Sequence, residues 1–177
     1  MLWLLGSNPA VERNLQQEAE QRGVTPTRLV FAPRVSHPQY LARYQFADLF
    51  LDTFPFNAGA TASDALAAGL PLVTLCGEAF AARMAGSLLQ AVGLPQLVTH
   101  SLADYQALAL CLALKPPALA ELRTKLAHNR TTYPLFDTDR FRRALEAAYI
   151  TTWQRTQRAQ PADSFAVERS FALEANG

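Results

Sequence analysis

The small residues Asn57-Ala58-Gly59-Ala60, followed by Thr61, Ser63 and Asp64, carry the most legible chemistry in this chain. Small side chains let a ligand approach the backbone, while hydroxyls and a carboxylate close behind can address its polar groups. Ahead of them, Asp48-Leu49-Phe50-Leu51-Asp52 is short, apolar and aromatic, as a buried parallel strand would be. In Phe54-Pro55-Phe56-Asn57 the proline excludes a continued central strand. Thr61 or Ser63 can cap a helix running to about Ala68, which Gly69-Leu70-Pro71 then stops. Strand, small-residue loop and helix N-terminus together form an anion site, because free N–H groups and the positive end of the helix dipole converge there. The loop is neither G-x-G-x-x-G nor a Walker sequence, so a tight turn is the competing reading. Asp64, one turn into the helix, favours the site: it is placed to take a hydroxyl pair such as ribose while phosphates sit at the helix mouth.

The elements that must position these residues alternate along the chain. Met1-Leu2-Trp3-Leu4-Leu5 opens as an apolar strand, abruptly enough to suggest that something precedes it. Gly6-Ser7-Asn8-Pro9 turns into a helix with Val11, Leu15 and Ala19 on one face, ended by Gly23. Arg28 to Ala32 is a second strand, closed by Pro33, and a helix spans about Gln39 to Phe46. Pro71 to Cys76 is a fourth strand, a helix carries Met84, Leu88 and Val92, and Leu97-Val98 is a weak fifth strand. From Ser101 the chain is helical: Leu102, Tyr105, Ala109 and Leu112 form one stripe, Leu119, Leu122 and Leu126 a second, and Phe141, Leu145, Ala148 and Thr152 a third. Each stripe reads as a core face, with Pro116-Pro117 as the break between the first two. The spacing predicts an α/β fold: a Rossmann-like three-layer α/β/α arrangement, a mostly parallel sheet of about five strands, and a helical C-terminal part. In such sheets ligands sit beyond the carboxyl ends of the strands. Three segments leave strand ends (32–37, 57–64 and 76–83) and are expected to face one crevice.

Composition narrows the class. The chain has 177 residues, half of them hydrophobic and 18% charged, which predicts a globular domain with a real core. A net charge of +1 offers no general attraction to nucleic acid or anionic membrane. Cys76 and Cys111 read as buried free thiols, fitting a reducing, cytoplasmic compartment. No zinc spacing, membrane-length apolar run or signal peptide is legible.

With these elements in place the residues carry a resemblance. Phe31-Ala32-Pro33-Arg34, Tyr40-Leu41-Ala42-Arg43 and Ala47 to Thr53 are similar to the donor-binding lobe of the O-GlcNAc transferase and Spindly family, bacterial type. So are Asn57 to Asp64, Ala68-Gly69-Leu70-Pro71, Gly77 to Arg83 and Pro134 to Thr138. The match covers residues 1–153, read as a nucleotide-sugar-binding lobe, with 154–177 as a C-terminal tail. The resemblance implies one lobe of a two-lobed GT-B glycosyltransferase that transfers a sugar from a nucleotide to Ser or Thr of proteins without a metal.

By that resemblance the backbone of Ala32 meets the base edge, Arg34 lies by the ribose and phosphates, and Arg43 contacts the base. Tyr40 is the preferred ring to stack on the base, with His37 the alternative. Backbone donors at Ala60 and Thr61 hold phosphate and Asp64 holds the ribose. Where the family carries a histidine and two threonines, this chain has Gly59, Ala60 and Thr61, so two side chains are missing. The family's diphosphate-binding glutamine and lysine fall before Met1, and its acceptor-side histidines belong to the other lobe. No residue here is assigned a catalytic role and no metal is expected. His100 and His128 have no carboxylate partner in sequence, and Arg83 reads equally as a phosphate contact or a salt-bridge residue. If a base were needed in this chain, His37, Asp52 and Glu78 would be the places to search.

The reading is therefore a donor lobe for a UDP-sugar such as UDP-GlcNAc, with a GDP-sugar second. Catalysis would need a longer protein supplying an N-terminal lobe and a TPR array for the protein acceptor. The alternative is a non-catalytic nucleotide-binding or protein-interaction module on the same fold. A response-regulator-type domain is a weaker third reading, because paired acidic residues at a strand end are absent.

Overall fold

The computed structural model describes residues 1–6 and 8–167. Ser7 of the first turn, and the part of the 154–177 tail from residue 168 on, lie outside the described residues. The chain divides into two compact units, Met1–Asp48 and Leu49–Gly177.

In the first unit β1 (Leu2–Leu5) and β2 (Leu29–Ala32) pair in parallel, Leu2 opposite Leu29 and Leu5 opposite Ala32. The crossover helix α1 (Pro9–Gln21) starts at Asn8, whose side-chain oxygen accepts from the Ala10 N–H at 2.8 Å, with Pro9 at the first helical position. Helix α2 (His37–Arg43) follows, continued by a 3-10 turn over Tyr44–Phe46. Its entry is fixed by Gln39, whose Oε1 accepts from the Ser36 hydroxyl at 3.0 Å and the Ser36 N–H at 3.3 Å. Two strands and short helices are too thin to exclude water on both faces. Trp3 accordingly stays 41% exposed, and Val11 and Leu15 are exposed instead of forming a core face.

The second unit opens with β3 (Phe50–Leu51), α3 (Ala60–Ala67) and β4 (Leu72–Leu75). It continues through a 3-10 turn (Phe80–Arg83) into α4 (Met84–Ala91) and β5 (Val98–Thr99). Three longer helices complete it: α5 (Leu102–Leu114), α6 (Pro116–Thr132) and α7 (Thr138–Gln157). The strands run β3-β4-β5, all parallel, with Phe50 opposite Leu72 and Thr74 opposite Val98. β4 is central and buried along its whole length, which is why Leu-Val-Thr-Leu needs no alternation. Around it Leu66, Leu89, Val92, Leu97, Leu112 and Leu126 form a continuous core. Burying each such leucine contributes roughly 1.5–3 kcal/mol.

The fold is the parallel α/β type that the spacing predicts. The five strands among the described residues fall into a pair and a triplet, a division that strand spacing does not encode. The α5 stripe is a core face at Leu112, with Tyr105 packed against the core and Leu102 exposed at its start, but the α7 stripe is not one: Phe141 is 66% exposed and Leu145 40% exposed. On α7 the half-buried side is made of small or polar residues, among them Ala144, Ala147, Ala148 and Thr151, so the large apolar residues point away from it.

Candidate functional site

The strand–loop–helix unit forms as its residue types require. β3 ends at Leu51, the chain turns through Thr53 to Ala58, and α3 begins at Ala60 with Gly59 as its N-cap. Thr61 and Ser63 therefore do not cap the helix; they sit within it, and the Ser63 N–H donates to the Gly59 carbonyl at 3.0 Å. Among the described residues no side-chain hydrogen bond caps Gly59. First-turn amides have no acceptor inside a helix, and here the mouth, Ala60 and Thr61, is exposed. A concavity of about 390 Å3 lies before it, lined by Leu51, Phe56, Asn57, Gly59, Ala60 and Thr61 among others. A slightly larger hollow, about 420 Å3, lies among Arg130, Tyr133 and Asp137, and none of the candidate residues lines it.

Beneath the loop is a buried polar network that sequence reasoning missed. Asp52 is only 7% exposed. Its Oδ1 accepts from the backbone N–H groups of Thr53 and Ala58, both at 2.8 Å, and its Oδ2 accepts from the Thr74 hydroxyl at 2.6 Å. Among the described residues no cation pairs with it; the charge is held by neutral donors, which can stabilise a buried carboxylate when several converge. The Thr99 hydroxyl donates to the Thr74 carbonyl at 2.8 Å, and the Tyr105 hydroxyl donates to the Asp52 carbonyl at 2.9 Å. Burial first, and then the Asp52 charge, pushes the Tyr105 hydroxyl up to about 12. Asn57 secures the loop from its other side: its Nδ2 donates to the carbonyls of Thr53 (2.9 Å) and Leu75 (3.3 Å), while its N–H donates to Ala81 at 3.0 Å. Asn57 Oδ1 is buried without a hydrogen-bond partner among the described residues. A threonine inside a fully apolar strand was the sequence sign of this network, since a hydroxyl there must find an acceptor. With both carboxylate oxygens engaged, Asp52 is not poised as a base.

The seven residues expected at the site divide between the two units. In the second, Ala60, Thr61 and Asp64 occupy the first, second and fifth positions of α3, with Asp64 half-buried. In the first, Ala32 ends β2 and its carbonyl accepts from the Gly6 N–H at 2.8 Å. Arg43 donates from Nη1 to the Pro33 carbonyl at 2.7 Å, so this guanidinium braces the turn that follows β2. Arg34 is exposed and makes no hydrogen bond or ion pair among the described residues. His37 and Tyr40 lie on one face of α2, their ring centroids 6.1 Å apart and tilted by 32°. Tyr40 in turn meets Tyr44 edge-on at 5.1 Å, and their hydroxyls are hydrogen-bonded. The two rings between which the sequence left a choice are thus neighbours on one aromatic face. Arg83 is exposed and takes part in no salt bridge among the described residues. No three metal-ligating side chains come together among the described residues, and no helix among them is long and apolar enough to cross a membrane.

Parallel βα units with an open helix mouth at a strand end define a Rossmann-like α/β lobe of the kind that binds phosphorylated ligands. The sequence of residues 1–145 matches the model of glycosyl transferase family 41, and the chain belongs to that family. It is 39% identical over 153 residues to the probable UDP-N-acetylglucosamine–peptide N-acetylglucosaminyltransferase SEC of Arabidopsis thaliana, covering 86% of this chain and 16% of that protein. It is 33% identical over 163 residues to the UDP-N-acetylglucosamine–peptide N-acetylglucosaminyltransferase of Caenorhabditis elegans, covering 92% and 14%. Among solved structures it superposes on a mutant of the Thermobaculum terrenum O-GlcNAc transferase with a TM-score of 0.78 and 33% identity, over 86% of this chain and 29% of that one. The chain therefore spans less than a third of each of these proteins.

Proposed function

We propose that this chain is the nucleotide-sugar-binding lobe of a protein O-glycosyltransferase that moves GlcNAc or a related sugar from a UDP-sugar to Ser or Thr of proteins. The observation that carries the reading is the uncapped, exposed N-terminus of α3 with Asp64 one turn behind it, in a chain of glycosyl transferase family 41. The first-turn amides at Ala60 and Thr61 take the diphosphate, since N–H groups need no side chain to bind an anion. Asp64 holds the ribose hydroxyls. Ala32, Arg34, Tyr40 and Arg43 serve the base and its neighbouring groups, with Arg34 offering a planar fork to an anionic oxygen. The setting is cytoplasmic, with a protein acceptor brought by an N-terminal lobe and a TPR array in a longer protein, and transfer proceeds without a metal.

The chain alone does not turn over. Positioning donor and acceptor together supplies much of a transferase's rate, and nothing among the assigned residues serves the acceptor. Labelled UDP-GlcNAc and an unfolded Ser/Thr-rich peptide test this, with the 177-residue chain beside a version carrying an upstream lobe. Activity is expected from the longer chain alone; comparable turnover by the short one would overturn the two-lobe reading. A non-catalytic nucleotide-binding role is the second reading, supported by Gly59 and Ala60, which offer the donor's sugar no polar side chain. Silence from both versions, with UDP still bound, would select it.

A further inference from the structure

We propose that Asp52 is the positioning residue of the nucleotide-sugar site, setting the mouth of α3 through the backbone of Ala58 without touching the ligand. The inference rests on the reading of that mouth as the phosphate site.

Asp52 spends its two carboxylate oxygens on three donors that come from both ends of the loop and from the central strand. Oδ1 binds the N–H groups of Thr53 and Ala58, and Oδ2 binds the hydroxyl of Thr74. The span from Thr53 to Ala58 is thereby closed on a single oxygen atom. Ala58 is followed directly by Gly59, the N-cap of α3, so fixing the Ala58 amide fixes where the first helical turn starts. Asn57, one residue earlier, repeats the constraint through Thr53, Leu75 and Ala81. Gly59 itself has no side chain to anchor the helix, and among the described residues no side-chain hydrogen bond caps it. The position of the mouth is consequently inherited from the strand beneath it. The Ala58 N–H is also removed from the donors a phosphate could use, leaving those of the first turn.

A stability role alone would leave ligand affinity untouched, and Thr99 supplies the control. Its hydroxyl is equally deep in the network but donates to the Thr74 carbonyl and, among the described residues, makes no hydrogen bond to the loop. The test uses the 177-residue chain, titrated with UDP by calorimetry, with melting temperatures and amide exchange of Ala58 measured on the same samples. Asp52→Ala is expected to weaken UDP about tenfold or more and to speed exchange at Ala58. Asp52→Asn keeps an Oδ1 that accepts both amides, and the Thr74 hydroxyl can turn to accept from the new amide; its affinity should fall by about threefold at most. Thr99→Val should lower the melting temperature with UDP affinity unchanged. If Asp52→Ala does not fold, Thr74→Val decides: releasing Oδ2 frees the carboxylate to swing and should weaken UDP by about threefold. UDP binding at wild-type strength in folded Asp52→Ala, or failing that in Thr74→Val, would overturn this inference while leaving the site reading intact. A wild-type chain that does not bind UDP would remove both.

Discussion

The ring of Tyr133 lies directly over Gly93, and a methyl group added at Gly93 would overlap three of its ring carbons. Gly93 ends α4 with φ of +73°, and the Asn129 side chain donates to the carbonyls of Val92 (2.8 Å) and Gly93 (3.3 Å). Helix α6 thus closes over the end of α4 at a residue that must be glycine on two counts. Gly93→Ala is expected to cost about 2–4 kcal/mol, combining the left-handed penalty with overpacking. Urea denaturation checks it, and Tyr133→Ala in the same background should recover the steric part alone.

Asp64 is assigned the ribose. Asp64→Asn should weaken UDP binding by roughly 1–3 kcal/mol, the scale of a lost charge-assisted hydrogen bond. Melting temperatures of the same samples separate a loss of affinity from a loss of fold. A large melting loss with unchanged affinity would make Asp64 a helix-end residue and nothing more.

Space does not require the glycine at Gly59. Its φ is −102°, and a Cβ there would meet only Met84 Cε, at 3.7 Å. Gly59→His should fold with a melting temperature within a few degrees of the parent, a shift corresponding to less than about 1 kcal/mol. Circular dichroism against temperature measures this, and collapse of the fold would show that the loop has closed over the position.

Tyr105 sets an alkaline limit. Its hydroxyl is raised from 10.0 to about 12 in the folded protein, so between those values the unfolded chain ionises first and stability falls as pH rises. Below pH 10 this contribution is constant. Ultraviolet titration should find a late ionising step, and Tyr105→Phe should remove it together with the hydrogen bond to the Asp52 carbonyl.

The helical stripes divide sharply. Leu126 on α6 is fully buried, and Leu126→Ala should cost about 2–5 kcal/mol. Phe141 on α7 is 66% exposed, and Phe141→Ser should stay within about 0.5 kcal/mol of the parent. Thermal melts of the two variants side by side suffice. An equal loss would mean that the outer face of α7 is covered in solution.

Much of this protein follows from residues close together in the chain. Pro9 behind Asn8, and the glycines at 23, 69 and 93, mark helix ends because capping and left-handed backbone are settled within a few residues. The order of strands and helices, the small-residue loop, and Asp64 one turn into α3 were legible for the same reason. The family could be read from residues that keep their order and spacing across the chain.

Tertiary structure decided what depends on partners far apart in sequence. Periodicity shows that a helix has an apolar stripe but not whether anything covers it, so the stripes of α6 and α7 read alike while Leu126 is buried and Phe141 is not. Strand spacing counts strands but does not say which edges pair, hence a pair and a triplet. The cap at Gly59 displaced the hydroxyl candidates because the loop ahead of it is already held by Asp52. That hold reaches Thr74, 22 residues away, while the main-chain carbonyl of Asp52 accepts from Tyr105, 53 residues away. A buried carboxylate is tolerable only where folding brings enough donors to it: the loop supplies the Thr53 and Ala58 amides, but the Thr74 hydroxyl arrives only when β4 pairs beside β3.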